Sequence, residues 1–431
     1  MNKTLKLIIS HFPDGQFSTT QEDLDKYGRD WYQGLVPNAS AVFFPESEDD
    51  IVKIFQLSNE HEYKLVISGG RTGLSGGATA INQEIVISSE RLKKMSWNED
   101  SNQITCQAGV VTDEAKSLAA LNKRILPIEF SSTSSSTIGG NIATNAAGAR
   151  YIRYGATKEH VRGLKVIMPD GAILSFQNQI EKDATGPDIM ELFYGSEGVM
   201  GFIFEAILQT YPVQEHKESV LIRANQLDQM NKLIEDERRY ISAVEFIDGN
   251  CQKILERQAK HKYEILLELE SSDKTELENV LTRISELELE ISLLNARQSD
   301  EFWKLREELP VILADRGADK LDICINAKAI DPFLADVDKL DASDIVYNFG
   351  HLGDGNIHVN ILDDTDGRLS EAIYNLLQKY EGSPSAEHGI GKRKIHLLKK
   401  FTHYQDKQKL FKFLKKSIDP KKILGSKVFF E

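Results

Sequence analysis

The chain has 431 residues, 41% hydrophobic and 27% charged, a globular composition in a chain too long for one ordinary core. Its formal net charge of −14 excludes nucleic acid as the main partner, because binding phosphate backbones needs clustered Lys and Arg. Cys106, Cys251 and Cys324 are far apart and form no CxxC pair, which excludes a disulfide framework or cysteine zinc site and points to a reducing compartment. The apolar stretch at residues 5–9 is too short for a signal-peptide core, and no run approaches the ~20 apolar residues of a spanning helix. A cytoplasmic protein without an integral membrane segment is expected.

Residues 1–35 read as a polar N-terminal segment. A strand is expected at 41–45, then a helix opened by Ser47-Glu-Asp-Asp50, a capping box with Asp in the usual Glu or Gln place. Ile51, Ile54, Phe55 and Leu57 give that helix its apolar stripe, and residues 64–68 read as the next strand, so the chain starts β-α-β with a parallel strand pair.

Directly after comes Gly69-Gly-Arg-Thr-Gly-Leu-Ser-Gly-Gly-Ala78. Glycine lets backbone N–H groups approach phosphate oxygens and permits positive φ. Five glycines with Arg71, Thr72 and Ser75 suit a pyrophosphate, although the pattern is neither a Walker loop nor GxGxxG, and alone it could equally be a surface turn. A second loop at 131–150 reads SSTSSSTIGGNIATNAAGAR, and a third reads Tyr194-Gly-Ser-Glu-Gly-Val-Met-Gly201. Such loops in one domain suit a large, extended cofactor.

Beyond residue 213 the glycines thin out. Strands are expected at 220–223, 243–247 and 263–270, alternating with helices in an α+β layer. One helix is expected at 275–291, with Leu277, Val280, Leu281, Ile284 and Leu287 inside and Glu286, Glu288 and Glu290 on its solvated side. The lysines of 407–422 read as a solvated helix face.

The densest chemistry is Asn348-Phe-Gly-His-Leu-Gly-Asp-Gly-Asn-Ile-His-Val-Asn360. Asp354-Gly355 predicts a two-residue hairpin turn that pairs Gly353 with Asn356, Leu352 with Ile357 and His351 with His358. The imidazoles then stand across the ladder with Cβ atoms ~5 Å apart. Asn360 shares that strand face and is a candidate substrate contact. A histidine pair alone could be structural. Ser383-Pro-Ser-Ala-Glu-His-Gly-Ile-Gly-Lys392 adds a carboxylate and a third imidazole. His351, His358 and Glu387 would form a His₂-carboxylate site with open positions, the ligand pattern of catalytic zinc or a related divalent ion, leaving His388 for acid–base work.

The order GGRTGLSGGA, TIGGNIATNAAGARYIRYG, LFYGSEGVMGFI resembles the FAD domain of the vanillyl-alcohol oxidase / p-cresol methylhydroxylase flavoproteins over residues 36–212. The resemblance implies an α+β fold with a two-subdomain FAD-binding domain of the p-cresol methylhydroxylase type. A substrate and metal cap domain (213–395) and a C-terminal helical segment (396–431) packing back on the FAD domain complete it. FAD contacts are implied at Gly70, Arg71, Thr72, Gly73, Leu74 and Ser75, and at Pro127, Ser135, Thr137, Gly139, Asn141, Thr144 and Gly148. Glu197, Gly198 and Ile203 are implied as well. Some members tether flavin through a histidine in the first loop; with no His or Cys there, non-covalent FAD is expected.

GHLGDGNIHVN followed by SAEHGIGKRK is similar to the D-2-hydroxy acid dehydrogenase branch, whose members act on D-2-hydroxyglutarate or D-lactate. That similarity implies a metal, zinc being expected, on His351, His358 and Glu387, with His388 as base. It further implies Arg306 of FWKLREE as the clamp on the substrate carboxylate and Lys320 as a second basic contact; the bland alternative for both is a surface charge. The implied reaction takes a hydride from C2 of a small 2-hydroxy acid to the flavin. A quinone, a cytochrome or an electron-transfer flavoprotein then accepts the electrons.

Three departures stand out. Pro310 replaces a threonine of the D-2-hydroxyglutarate enzymes, one residue is missing before Lys320, and Ile423-Leu-Gly-Ser-Lys427 lacks the asparagine of ILNPGK. The side chain of the acid therefore stays open. So do a flavin-dependent transferase of the ether-lipid synthase type, a non-catalytic flavoprotein subunit, and a homodimer.

Overall fold

β-Branched runs bounded by Gly, Asn and Asp give the chain eighteen strands of two to nine residues among the described residues, 2–176, 184–340 and 344–430 of a computed structural model. They fall into two units. The first comprises Met1–Ala146, Ala156–Pro212 and Glu387–Glu431, the second Ala147–Gly155 and Val213–Ala386.

In the first unit, β1 (Phe17–Ser18), β2 (Ala41–Phe43), β3 (Leu65–Ser68) and β4 (Ile85–Ser88) form a sheet in the order β1-β2-β4-β3. β2 and β3 are both parallel to β4 and so run parallel as a β-α-β start requires, but β4 lies between them and the expected direct pair does not form. Ile85-Val-Ile-Ser88 is buried along its whole length and takes the central place, where a parallel strand is covered on both faces. The helix Glu48–His61 opens on the expected capping box, Ser47 Oγ accepting from the Asp50 N–H and the Asp50 carboxylate from the Ser47 N–H. Its Ile51, Ile54 and Phe55 join Phe43, Leu65 and Ile87 in one core.

Further strands of this unit are β5 (Met95–Asn98), β6 (Gln103–Gln107), β7 (Arg124–Ile125), β8 (Val161–Ile167), β9 (Ile173–Ser175), β10 (Phe202–Gln209) and β11 (Tyr211–Pro212). β7 and β11 pair with each other, and the rest make an antiparallel sheet in the order β5-β6-β10-β8-β9. The C-terminal stretch belongs here too. Ile423 and Leu424 lie in the core of the first sheet, where the Leu65 N–H donates to Ile423 O (2.7 Å) and the Gly425 N–H to Leu65 O (3.2 Å).

In the helix Gln405–Ile418, Lys407, Lys409, Lys412 and Lys416 are exposed as expected, but Lys415 is buried. Its Nζ donates to Val199 O (2.6 Å), Leu424 O (3.1 Å) and the Asp419 carboxylate (2.5 Å). Three acceptors offset the desolvation that would otherwise keep a lysine on the surface.

The second unit is built on β12 (His216–Ala224), β13 (Ile241–Asp248), β14 (Tyr263–Ser271), β15 (Glu290–Leu294), β16 (Asp319–Cys324), β17 (Val346–His351) and β18 (Asn356–Ile361). They form one antiparallel sheet in the order β15-β12-β14-β13-β17-β18-β16. The helix expected over 275–291 spans only Lys274–Ser285, burying Leu277, Val280 and Ile284. Glu290 and Ile291 instead enter β15, because Leu287-Glu-Leu-Glu-Ile alternates with the period of a strand. Arg223 of the neighbouring β12 pairs with Glu290 there, at 2.8 Å.

The helix Ala296–Asp315 lies on one face of this sheet. Its Phe302, Leu309 and Leu313 pack with Leu221, Ile247, Leu266 and Phe349. Among the described residues no helix is long and apolar enough to cross a membrane.

Candidate active site

In the first unit the loop after β3 carries no helix and lies against the second glycine-rich loop. A Cβ on Gly70 would sit 2.1 Å from Ser135 O, and one on Gly69 would sit 2.5 Å from Thr137 Oγ1. Only glycine permits this approach. Thr137 Oγ1 is buried and has no hydrogen-bond partner among the described residues. A buried hydroxyl that the protein does not satisfy, beside a cradle that a Cβ would fill, fits a cofactor carrying acceptor oxygens.

Other expected contacts have protein tasks. The Arg71 guanidinium stacks on Tyr27, 4.5 Å from the ring centre, with Glu90 at 3.9 Å. Gly139 allows close packing, since a Cβ there would lie 2.5 Å from that of Ala108. Asn141 donates to Thr112 Oγ1 (2.7 Å) and Thr144 to Gly140 O (2.9 Å), bracing the helix Ile138–Thr144. Pro127 and Ile203 are buried; Thr72 and Leu74 are half-buried; Gly73 and Ser135 are exposed. Gly198 has φ +76°, and Gly148 falls in the second unit.

The Glu197 carboxylate accepts from the N–H groups of Ile390 (2.7 Å) and Gly391 (2.8 Å), and burial pushes it up to about 7 against those bonds. It therefore holds the Gly389-Ile-Gly391 turn. From the same loop the backbone N–H groups of Lys392 and Arg393 donate to Ser75 O, both at 3.0 Å. Lys392 Nζ donates to Gly77 O (3.1 Å) and Gly76 O (3.3 Å). Burial lowers this lysine to about 8, opposed by Glu84, Asp30 and Glu197. Lys392 was legible only as the end of GIGK, with nothing to reveal its grip on the first glycine loop.

In the second unit the hairpin register differs from the expected one. His351 faces Asn356 and His358 faces Phe349. The turn is four residues long because the Leu352 N–H is drawn to Val244 O (2.8 Å) and the Asp354 carboxylate accepts from the Asn356 N–H (3.0 Å). Gly355, at φ +83°, allows Ile325 O to approach where a Cβ would be 1.8 Å away. The shift is by two residues, so both histidines keep one face as diagonal neighbours, ring centres 5.5 Å apart.

Each imidazole turns its Nδ1 to a buried carboxylate. His351 Nδ1 bonds Glu245 Oε1, from the residue directly opposite on β13. His358 Nδ1 lies 3.7 Å from Asp322 Oδ1, opposite on β16. Glu245 and Asp322 are fully buried. The carboxylate bonded to His351 Nδ1 fixes that tautomer and leaves Nε2 as the ligating nitrogen, the arrangement typical of metal-binding histidines, while Asp322 stands on the same side of His358 beyond hydrogen-bond reach. These donors fit a divalent ion such as zinc.

Arg306, buried on the helix Ala296–Asp315, brings its Nε within 3.0 Å of Glu245 Oε2, off the N–H axis, and lays its guanidinium over Phe349 at 4.3 Å. Lys320 stands opposite Asn360 and donates to Pro310 O at 2.6 Å. Asn360, buried, donates to His358 O at 3.1 Å. Asp322 also accepts from the Asn356 amide and from the N–H of Ala386, both at 3.1 Å. Glu387 and His388, both half-buried, follow Ala386 directly, so this bond holds the backbone one residue ahead of them. Glu245 and Asp322 belong to none of the sequence motifs. The available signal was an acid in the middle of an otherwise apolar strand run.

Residues 39–177 match the FAD binding domain, and residues 213–428 match the C-terminal domain of the FAD linked oxidases. The chain belongs to the FAD-linked oxidase family, and FAD is its cofactor. Within that family it is 34% identical to a D-2-hydroxyglutarate dehydrogenase of Xanthomonas citri pv. viticola, over 97% of this chain and 95% of the relative. It is 32% identical to one from Stutzerimonas stutzeri, over 96% of each. Its fold also matches p-cresol methylhydroxylase solved with substrate bound, with a TM-score of 0.76 and 13% identity over 99% of this chain and 96% of that one.

Proposed function

We propose that this protein oxidises D-2-hydroxyglutarate, or a close D-2-hydroxy acid, to the 2-oxo acid, using non-covalent FAD and a divalent metal on His351, His358 and Glu387. The observation that carries this reading is the histidine pair on one sheet face, His351 Nδ1 bonded to the buried Glu245 and His358 Nδ1 3.7 Å from the buried Asp322, beside a buried arginine over the same face. FAD supplies a two-electron acceptor, and the metal a Lewis acid for the 2-hydroxyl and carboxylate oxygens.

Arg306 clamps the substrate's C1 carboxylate as a planar two-point donor. His388 takes the 2-hydroxyl proton as general base. Lys320, oriented by Pro310 O, receives the distal carboxylate, and Asn360 lines the same strand face. A quinone, a cytochrome or an electron-transfer flavoprotein receives the electrons, and a reducing, cytoplasmic setting suits the buried thiols of Cys106 and Cys251.

The test is anaerobic mixing of the holoenzyme with D- and L-2-hydroxy acids while following the visible flavin absorbance. Bleaching by D-2-hydroxyglutarate and not by its L-isomer is expected; bleaching by no D-acid overturns the reading. His388→Ala should retain FAD yet lose bleaching by about 10²-fold or more. Dialysis against a chelator should abolish activity and added Zn²⁺ or Mn²⁺ restore it; activity indifferent to the chelator removes the metal from the reaction.

A further inference from the structure

Glu245 is a carboxylate in a strand whose other seven residues are also buried. Such a group is costly to desolvate unless its oxygens are matched. One oxygen meets the His351 imidazole and the other approaches Arg306, residues with different tasks in the proposed reaction. The bond to His351 is set by strand register, since the two residues face each other across β13 and β17. A second link runs parallel to it. Phe349 lies under the Arg306 guanidinium, and its ring centre is 5.3 Å from that of His358, its partner across the ladder. Asp322, the other buried carboxylate, is bonded instead to Asn356, Ser385 and Ala386.

We propose that Glu245 is a positioning residue that couples the substrate's carboxylate clamp to the metal site, so that Arg306, which is not a ligand, governs metal affinity, and a metal-side carboxylate governs substrate affinity. This rests on the function proposed above. The physical reason is that one rigid carboxylate fixes both partners. Releasing either lets Glu245 rotate, which misdirects the other.

The test uses the full-length FAD holoenzyme stripped of metal. Mn²⁺ is titrated calorimetrically without substrate, and KM and kcat for D-2-hydroxyglutarate are measured at saturating Mn²⁺. Glu245→Gln should weaken Mn²⁺ binding about 10-fold or more and raise KM about fivefold, with the smaller effect on kcat. Arg306→Gln should weaken Mn²⁺ about fivefold with no substrate present.

Mn²⁺ affinity of Arg306→Gln within about twofold of wild type overturns the coupling, as does Glu245→Gln that moves only one of the two constants. If Glu245→Gln does not fold by circular dichroism, Arg306→Gln decides the matter alone. Wild type that takes up no Mn²⁺ overturns both this inference and the metal reading beneath it, whereas wild-type uptake with unchanged variants overturns only the coupling.

Discussion

His160 shows how a single buried side chain sets a pH limit on the fold. It is 1% exposed, its Nδ1 meets the Tyr211 hydroxyl at 3.2 Å, and its Nε2 has no partner among the described residues. Burial, helped by Arg162, holds its pKa down to about 4 against an ordinary 6.5. Between those values the unfolded chain binds a proton that the folded protein refuses, so stability falls as pH falls, by up to about 3 kcal/mol. Urea unfolding at pH 7 and pH 4 should show His160→Phe losing less stability on acidification than wild type. Glu197, raised to about 7, works in the opposite sense: its cost is full above pH 7 and relieved as pH falls towards the usual carboxylate range. Glu197→Gln should therefore steepen the acid loss, a sign that the same titration reads. At this scale the groups that would touch metal, substrate or flavin were legible as motifs, because His351, His358, Glu387 and His388 sit among glycines in short, dense strings. Their supports were not. Glu245 is 106 residues from His351 and Lys392 is 315 from Gly77, and no local pattern records such a pairing.

Among the elements, the helix Ala296–Asp315 carries Pro310 in its interior, where no N–H can bond the Arg306 carbonyl one turn earlier. Pro310→Ala should stabilise the protein by up to about 3 kcal/mol in urea unfolding, and it retains the carbonyl that holds Lys320. The helix Gln405–Ile418 makes the opposite case. Lys415→Met leaves Asp419 buried without its cation and should cost about 3 kcal/mol, read in the same experiment. Element type was largely legible, whereas register was not. The Asp-Gly pair predicts the tightest turn, but tertiary bonds from Val244 and Ile325 to the loop made it longer. A two-residue shift kept both histidines on one face; a one-residue shift would have sent them to opposite faces. In the same way, β15 was hidden behind a helix because Leu287, Ile291 and their neighbours satisfy both periods over so short a run.

For the molecule as a whole, ligand binding and folding are one equilibrium. FAD at about 100 times its Kd should add about 2.7 kcal/mol to the stability of the apoprotein, so the thermal midpoint should climb with FAD concentration; a midpoint indifferent to FAD would contradict binding confined to the folded state. The change of texture near residue 213 was visible in the sequence, but the return of the C-terminal segment was expected only through resemblance and only from residue 396, whereas residues 387–395, expected in the cap domain, also fall in the first unit. Composition cannot show that Ile423 and Leu424 enter a core begun by Phe43 and Leu65. That closure has a temporal side. A ribosome delivers the seven-stranded sheet complete by residue 386, while the backbone of Leu65 must wait for Ile423 and Gly425 to emerge. A nascent chain halted in between would carry all seven strands of the histidine sheet while the backbone of Leu65 still lacked its partners at Ile423 and Gly425.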